Sequence, residues 1–192
     1  MMLTAAFAQP VDDAQATFRT LLSALSEPLL PRALPVFPDA PAGVSPAAAA
    51  LLLTLADADT AVWLPDGLAD AAAWLRFHAG CVLVSDIAVA DFVYLPQRSA
   101  LPNLPTLKRG SADYPDRSAT LIVDVAGFDR AAGVTGSGPG FAAPRRLGIQ
   151  GLAGDFWPQW TRANCAFPLG IDAFFVARDA VVGLPRTTRL EL

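Results

Sequence analysis

The sequence contains one histidine, which limits the nucleophilic chemistry that it could perform. A Ser-His-Asp or Cys-His arrangement would have to use His78. Arg76 lies two residues earlier, near the end of a predicted helix, so the two side chains could offer an anion contact and a proton donor to a shared cleft. The alternative is structural, because an arginine or histidine there also interacts favourably with the helix dipole. The residue types leave both interpretations open.

A glycine-rich segment, Gly136-Ser137-Gly138-Pro139-Gly140, is a candidate anion site. Successive glycines can turn backbone N–H groups inward around an anion, although Pro139 lacks this donor. The residues that follow show no helical periodicity, so the segment also fits a tight turn between strands. The pattern favours the turn over the phosphate site.

An arginine beside two hydroxyl groups follows the last predicted strand. The residues are Leu184-Pro185-Arg186-Thr187-Thr188, and a guanidinium next to hydroxyls can hold an anionic oxygen. The same residues fit a solvated edge strand that its proline and its charge protect. Asp172, in a neighbouring apolar run, needs a partner if it is buried.

Motifs for metal and nucleotide binding are missing from the sequence. Cys81 lies three residues from His78 across a predicted helix end, and Cys165 is the other soft ligand, so we expect no metal site. Lys108 is not preceded by glycines, which excludes the phosphate loop of nucleotide-binding proteins. The two cysteines lack a CxxC partner and predict reduced thiols in a cytoplasmic protein.

Composition and charge narrow the class of protein. The 192 residues are 53% hydrophobic, which excludes a disordered chain and suits one domain over residues 1–192. Fourteen basic and eighteen acidic residues give a net charge of -4, so nucleic acid is not an expected partner. The longest apolar run, Pro46–Ala56, is about half of the roughly 20 residues that cross a bilayer, so we expect no membrane span.

Hydrophobic periodicity predicts helices early in the chain. Polar caps precede three of them, at Asp12 and Asp13, Ser45, and Asp70. The first ends before Pro28 and has an apolar face made of Ala14, Phe18, Leu21, Leu22 and Leu25. The second has Pro46 at its first position and is apolar nearly all round, and the third ends at Gly80 in the left-handed conformation. A fourth helix, over residues 155–165, would be interrupted at Pro158.

Strands are predicted mainly in the second half. Apolar, β-branched runs mark them at Thr60–Leu64, Cys81–Val84, Phe92–Leu95, Ser118–Val125, Leu147–Gln150, Ile171–Ala177 and Ala180–Leu184. The run at 81–84 has the pattern of a fully buried strand, and the last two runs suggest a hairpin around Arg178-Asp179. Residues 133–141 read as a turn-rich segment. Together the elements predict a mixed sheet layered with helices.

Five motifs, taken in chain order, carry a family resemblance. They are Trp74–Gly80, Tyr114-Pro115 with Ser118–Leu121, Gly138–Gly140, Phe167–Asp172 and Leu184–Thr188. In this order they resemble the PhnH family of phosphonate-metabolism proteins, the H subunits of the bacterial carbon-phosphorus lyase core complex. The likeness spans nearly the whole chain.

The resemblance implies a fold, partners and a pathway. The fold would be an α/β three-layer sandwich with a central mixed β-sheet flanked by helices, similar to pyridoxal-phosphate-dependent transferases. The family forms a homodimer and assembles with the G, I and J subunits. That assembly displaces adenine from ATP with an alkylphosphonate to give ribose 1-alkylphosphonate 5-triphosphate, and the H subunit is not credited with a reaction of its own.

The fold likeness raises the question of pyridoxal phosphate, which needs a lysine for its Schiff base. Lys108 is the only lysine, and it lies in a loop bounded by proline and glycine. We therefore expect no covalent cofactor.

Two functional hypotheses remain at this point. The first is a dimeric, non-autonomous subunit, which the apolar composition supports because interfaces between subunits must bury apolar surface. The second is a subunit that itself binds a phosphorylated nucleotide or phosphonate. Its candidate binding residues are Arg76, His78, Tyr114, Ser118, Thr120, Gly136, Ser137, Gly138, Gly140, Arg186, Thr187 and Thr188. A weaker third possibility is a transferase-fold relative that has lost its chemistry. No residue is assigned a catalytic role.

Overall fold

The computed structural model describes residues 5–191. Within that range the chain forms four α-helices: α1 Pro10–Ser26, α2 Pro46–Leu55, α3 Ala69–His78 and α4 Phe156–Ala163. It also forms ten strands: β1 Arg32–Ala33, β2 Ala61–Trp63, β3 Val82–Leu83, β4 Phe92–Leu95, β5 Thr120–Asp124, β6 Gly127–Ser137, β7 Arg145–Gln150, β8 Asp172–Ala177, β9 Ala180–Leu184 and β10 Arg189–Glu191. Short 3₁₀ turns lie at Ile87–Val89 and Leu104–Thr106.

The central sheet is mixed, as the sequence predicted. Its seven strands lie in the order β1-β9-β8-β5-β4-β2-β3. The neighbours from β3 to β8 are parallel, whereas β9 runs antiparallel to β8 and β1 antiparallel to β9. The predicted hairpin is the β8-β9 pair, which turns at Arg178-Asp179 with Arg178 at a φ of 53°.

Two buried clusters lie on opposite faces of this sheet, because side chains alternate along each strand. Ile122 of β5 faces the cluster that contains Leu51 of α2 and Trp74 of α3. Its neighbour Leu121 faces the cluster that contains Trp160 of α4. The chain is therefore layered, with α1, α2 and α3 on one face of the sheet.

The second face carries a helix, as predicted, but also a second sheet that was not predicted. It carries α4 together with a separate antiparallel sheet of the order β10-β6-β7. The sequence did not predict β6, because its residues lack the alternation of a half-buried strand and its pairing with β7 is shifted between Asp129 and Val134. It did not predict β10 either, since three residues that follow the 185–188 turn carry no pattern of their own. The turn-rich interpretation of residues 133–141 was wrong for 133–137, which belong to β6.

Helix α2 matches its prediction. Ser45 is the N-cap and its side chain accepts a hydrogen bond from Ala48 N at 3.0 Å, with Pro46 at the first position. The helix is buried from Ala47 to Leu52, because α1 and α3 pack on it and it packs on the sheet.

Helix α1 begins earlier and faces a different way than predicted. It begins at Pro10, and Asp13 is inside the helix, where its carboxylate accepts from Gln9 N at 2.8 Å. The buried side chains are Thr17, Leu21 and Ala24. Phe18 and Leu22 of the predicted apolar face are 48% and 58% exposed. Helix α2 fills the space over the sheet, so α1 contributes only a narrow buried stripe.

Three smaller predictions were also wrong. The run at 81–84 is an edge strand rather than a fully buried one, and Val82 is 52% exposed. Asp70 lies inside α3, which Leu68 precedes as N-cap residue. Pro158 does not interrupt α4, because it is the third residue of the helix, where the backbone N–H has no acceptor within the helix.

The N-cap of α2 is also bonded to the sheet through a buried carboxyl group. Ser45 Oγ donates to Asp124 Oδ1 at 2.6 Å, and the hydroxyl of Tyr94 donates to Asp124 Oδ2 at 2.5 Å. Burial raises the pKa of the Asp124 carboxyl group above its usual range, although both hydrogen bonds act in the opposite direction. Burial and the adjacent carboxylate likewise raise the pKa of Tyr94.

Asp124→Asn tests this raised pKa. The folded chain keeps a proton on Asp124 at a pH where the unfolded chain has lost it, so this group weakens folding as the pH rises from about 3.9 to its folded pKa. We expect the stability of the parent relative to the variant to fall over that range, by at most about 1.4 kcal/mol per pH unit, and then to level off. Urea denaturation of both proteins from pH 3.5 to 8 measures it. Asp39→Asn, at an exposed position, controls for the loss of a charge. If the stability of the parent relative to Asp124→Asn rose with pH, the raised pKa of Asp124 would be contradicted.

Candidate functional site

A single arginine joins four segments of the chain at the amino-terminal edge of β5 and β8. All five N–H groups of the Arg186 guanidinium have acceptors in the protein. Nε donates to both carboxylate oxygens of Asp172 at 3.2 Å, and Nη2 donates to Asp172 Oδ2 at 2.5 Å and to Ser118 Oγ. Nη1 donates to the carbonyl oxygens of Pro115 at 2.7 Å and Pro168 at 3.4 Å. We call this group of residues the Arg186 hub.

The chain's local structure places each member of the hub. Asp172 is the first residue of β8, and its Oδ1 also accepts from Arg186 N at 2.7 Å. Pro185 follows the end of β9, and Arg186 comes directly after it. Only 12% of the Arg186 side chain and 21% of the Asp172 side chain is exposed, so the ion pair is largely desolvated. The partner that Asp172 was predicted to need is Arg186.

Several of the predicted binding residues meet at or beside the hub. Ser118 belongs to it, and Thr120 pairs with Asp172 in the β5-β8 register. Tyr114 is 53% exposed, next to the hub carbonyl of Pro115, and the Arg117 guanidinium lies 4.4 Å from the centre of its ring. The motifs that are far apart in the sequence are therefore adjacent in space.

The glycine-rich segment forms the end of β6 and the turn that follows it. Phe141 N donates to Gly138 O at 3.2 Å, and both Gly138 and Gly140 have positive φ angles, of 121° and 82°. A Cβ atom at Gly138 would lie 3.1 Å from Thr187 O, and one at Gly140 would overlap Ser26 O. In β6, Ser137 pairs with Arg189 of β10 and Gly136 with Leu190. These glycines allow the turn to pack closely on α1 and on the 185–190 segment.

Arg76 and His78 lie elsewhere, on α3 and on the opposite face of the sheet. Arg76 lines a shallow hollow of about 360 Å³ with residues of the 64–69 and 83–85 segments. The His78 ring contacts the rings of Trp74 and Phe77, with centroids 5.2 and 4.9 Å apart, and is not among the lining residues of that hollow. The structure does not bring this pair together with the hub.

A cleft of about 620 Å³ lies beside the hub. The carboxyl-terminal half of α4 forms one wall, and the 186–190 segment forms the other. Its lining residues are Pro139, Trp160, Thr161, Asn164, Cys165, Phe167, Arg186, Thr187, Thr188, Arg189 and Leu190. Thr187 and Thr188 were predicted binding residues. Trp160 of α4, and Asn164 and Cys165 just after it, were not predicted, because a segment of mixed composition carries no signal for the side that faces a ligand.

The remaining cationic side chain of interest is already paired. Lys108 Nζ lies 2.5 Å from Asp91 Oδ1, at the amino-terminal end of β4. Within residues 5–191, no three histidine, cysteine or acidic side chains are grouped so that they could hold a metal ion. Among the same residues, no helix is long and apolar enough to cross a membrane.

These features define an α/β protein whose buried arginine organises an edge of the sheet, with an open cleft beside it. Comparison with known proteins adds the family. The sequence profile of the bacterial phosphonate metabolism proteins (PhnH) matches residues 5–191. The chain belongs to the PhnH family.

Two relatives carry functional names. The chain is 36% identical over 188 residues to a protein of Rhizobium meliloti (strain 1021) named alpha-D-ribose 1-methylphosphonate 5-triphosphate synthase subunit PhnH, covering 97% of this chain and 94% of the relative. It is 31% identical over 179 residues to a protein of Stutzerimonas stutzeri named putative C-P lyase subunit protein HtxG, covering 93% and 86%.

Arg186→Met tests the structural role of the hub. The substitution leaves Asp172 buried without its partner, so we expect a loss of about 3–5 kcal/mol in the free energy of unfolding. Arg186→Met combined with Asp172→Leu removes the unpaired charge as well and should recover part of that loss. Chemical denaturation followed by circular dichroism measures all variants.

Arg32→Met is the matched control. Arg32 pairs with Glu27 where 32% and 47% of the two side chains are exposed, so its loss should cost about 1 kcal/mol or less. An Arg186→Met variant that is no less stable than Arg32→Met would show that the hub does not hold the fold.

Proposed function

We propose that the chain is a non-autonomous subunit of the carbon-phosphorus lyase core complex in organic phosphonate catabolism. That assembly forms α-D-ribose 1-alkylphosphonate 5-triphosphate from ATP and an alkylphosphonate. Membership of the PhnH family supports the proposal, as do the two relatives, both of which are named as subunits.

The contacts of the reactive side chains agree with a subunit that lacks its own turnover. Arg186 uses all five donors within the protein, and Lys108 is paired with Asp91. His78 lies against two aromatic rings of its own helix.

The structural observation that supports docking onto partner subunits is a set of exposed hydrophobic side chains. A partner would cover such a surface. Val11, Phe18 and Leu22 are 81%, 48% and 58% exposed and follow helical spacing on α1. Phe77 and Val82 are 70% and 52% exposed at the β3 edge of the central sheet. We define these two groups as the α1 surface and the β3-edge surface.

The oligomeric state, the named partners and the location are inferred from what the family resemblance implies. We propose a homodimer, assembly with the G, I and J subunits, and a cytoplasmic location. Cys81 and Cys165 are both free thiols, which suits a reducing compartment. We also propose that the subunit works without pyridoxal phosphate and has no transferase activity by itself. The expected likeness to pyridoxal-phosphate-dependent transferases stays a prediction of the fold.

The alternative is a subunit that holds a phosphorylated nucleotide or phosphonate in the substrate site. Arg186 would have to exchange its acceptors to take part, because each of its N–H groups is already bonded. Thr187, Thr188 and Arg189 line the adjacent cleft and are the candidates that this alternative retains.

Serine substitutions on the two surfaces test the docking role. One variant carries Phe18→Ser and Leu22→Ser on the α1 surface, and the other carries Phe77→Ser and Val82→Ser at the β3 edge. These side chains are exposed, so we expect both variants to fold with unchanged circular dichroism. At least one should lose co-purification with the co-expressed G, I and J subunits. Sedimentation of the chain alone shows which surface serves the homodimer.

Thr54→Ser, at a half-buried position of α2, is a control for the substitutions. If the G, I and J subunits formed a stable and fully active complex in the absence of this chain, the docking role would be wrong.

A further inference from the structure

The cleft beside the hub has the size of a small-molecule site. Its volume of about 620 Å³ lies within the range of ligand pockets, about 300–1,000 Å³. Phe167 and Leu190 line it as apolar side chains, and Phe167 is 70% exposed. It is a feature of this chain alone and does not depend on the docking role.

Two polar groups beside the cleft lack hydrogen-bond partners among the described residues. Asn164 Oδ1 accepts from Ile171 N at 2.8 Å, which fixes the amide and leaves Nδ2 buried with no acceptor. Thr188 is only 7% exposed, and its Oγ1 is buried with no partner either. Both residues line the cleft. Buried polar groups are rarely left unpaired in folded proteins, so two beside one cleft indicate a ligand that supplies the missing partners.

The local backbone holds this arrangement in place. A Cβ atom at Gly170 would overlap Asn164 Oδ1 and lie 3.2 Å from the Cβ of Arg186. Gly170 therefore lets the asparagine and the hub approach each other.

The charges around the cleft favour an acidic ligand. Arg186 and Arg189 are the charged residues that line it, and within the described chain no carboxylate does. Arg186 is neutralised by Asp172, so the exposed Arg189 is the cation available to a ligand. The Asn164 amide adds donors, and Thr188 can donate as well.

We propose that this cleft binds a small organic acid with an apolar body. Its acidic oxygens accept from Asn164 Nδ2 and Thr188 Oγ1 and face Arg189, while its body packs on Phe167 and Leu190. The acid group is either a carboxylate or a phosphonate, which present the same acceptor chemistry. A ligand of this type fills both unpaired positions and covers the apolar wall.

Cys165 provides a direct readout, because it lines the cleft and is exposed, whereas Cys81 is buried. Burial raises the pKa of the Cys81 thiol, so this second cysteine reacts slowly while the chain stays folded. The rate of alkylation of each cysteine by iodoacetamide, followed by mass spectrometry of the whole chain, reports occupancy and unfolding separately.

The probes are phenylphosphonate, benzoate, inorganic phosphate and benzyl alcohol. We expect phenylphosphonate, benzoate or both to slow alkylation of Cys165 at concentrations about tenfold lower than phosphate or benzyl alcohol require. Protection by only one of the two acids identifies the acid group. Equal protection by phosphate would overturn the role of the apolar body, and equal protection by benzyl alcohol would overturn the role of the charge. No protection by either acid would overturn the proposal.

Variants locate the binding in the cleft. Thr188→Val removes an unpaired hydroxyl, so it should leave stability unchanged or improved and weaken protection about tenfold. Asn164→Asp places a negative charge against the ligand and should weaken protection at least as much. Thr161→Val is the matched control, because Thr161 lines the same cleft but its hydroxyl donates to Trp157 O at 3.1 Å. Protection that is unchanged in Thr188→Val and Asn164→Asp would show that the acid binds elsewhere.

Discussion

The buried ion pair between Arg186 and Asp172 is the interaction on which one whole edge of the molecule depends. It joins the start of β8 to the segment after β9 and, through Ser118 and two carbonyl oxygens, to the loops before β5 and β8. A buried pair of this kind is not a large net source of stability, since desolvation offsets much of the attraction. The loss of one member is nevertheless costly, because it leaves a buried charge that nothing else in the hub can neutralise.

The two ends of the parallel strands serve different purposes in this chain. In open α/β sheets, ligands usually bind outside the carboxyl ends of the strands. Here Asp124, at the carboxyl end of β5, is enclosed by Ser45 and Tyr94, and the N-terminus of α2 covers it. The polar residues at the opposite end, around Arg186, are next to the open cleft. The carboxyl end of β5 is thus covered, and the 620 Å³ cleft lies at the other end of the strands, while a hollow of about 360 Å³ remains beside the carboxyl ends of β2 and β3.

The sequence predicted those parts of the fold that local chemistry determines. Ser45 and Pro46 define the start of α2 by themselves, and the apolar run of β5 identifies a central strand. The orientation of α1 could not be predicted, because it depends on how much of the sheet α2 already covers. Strand β6 lacked a pattern because its pairing with β7 is irregular and much of it is exposed. The motifs at 114–118, 167–172 and 184–188 carried the family resemblance in the sequence, and only the structure shows that they meet at Arg186, which is bonded to all of them.

The central proposal is that this chain is a non-autonomous subunit and that companion subunits supply the chemistry for turnover. The most direct measurement incubates the purified chain alone with ATP and methylphosphonate and follows adenine release by liquid chromatography. The parallel reaction contains the chain together with the G, I and J subunits. The account predicts adenine release only in the second reaction. Sustained release of adenine by the chain alone would contradict it.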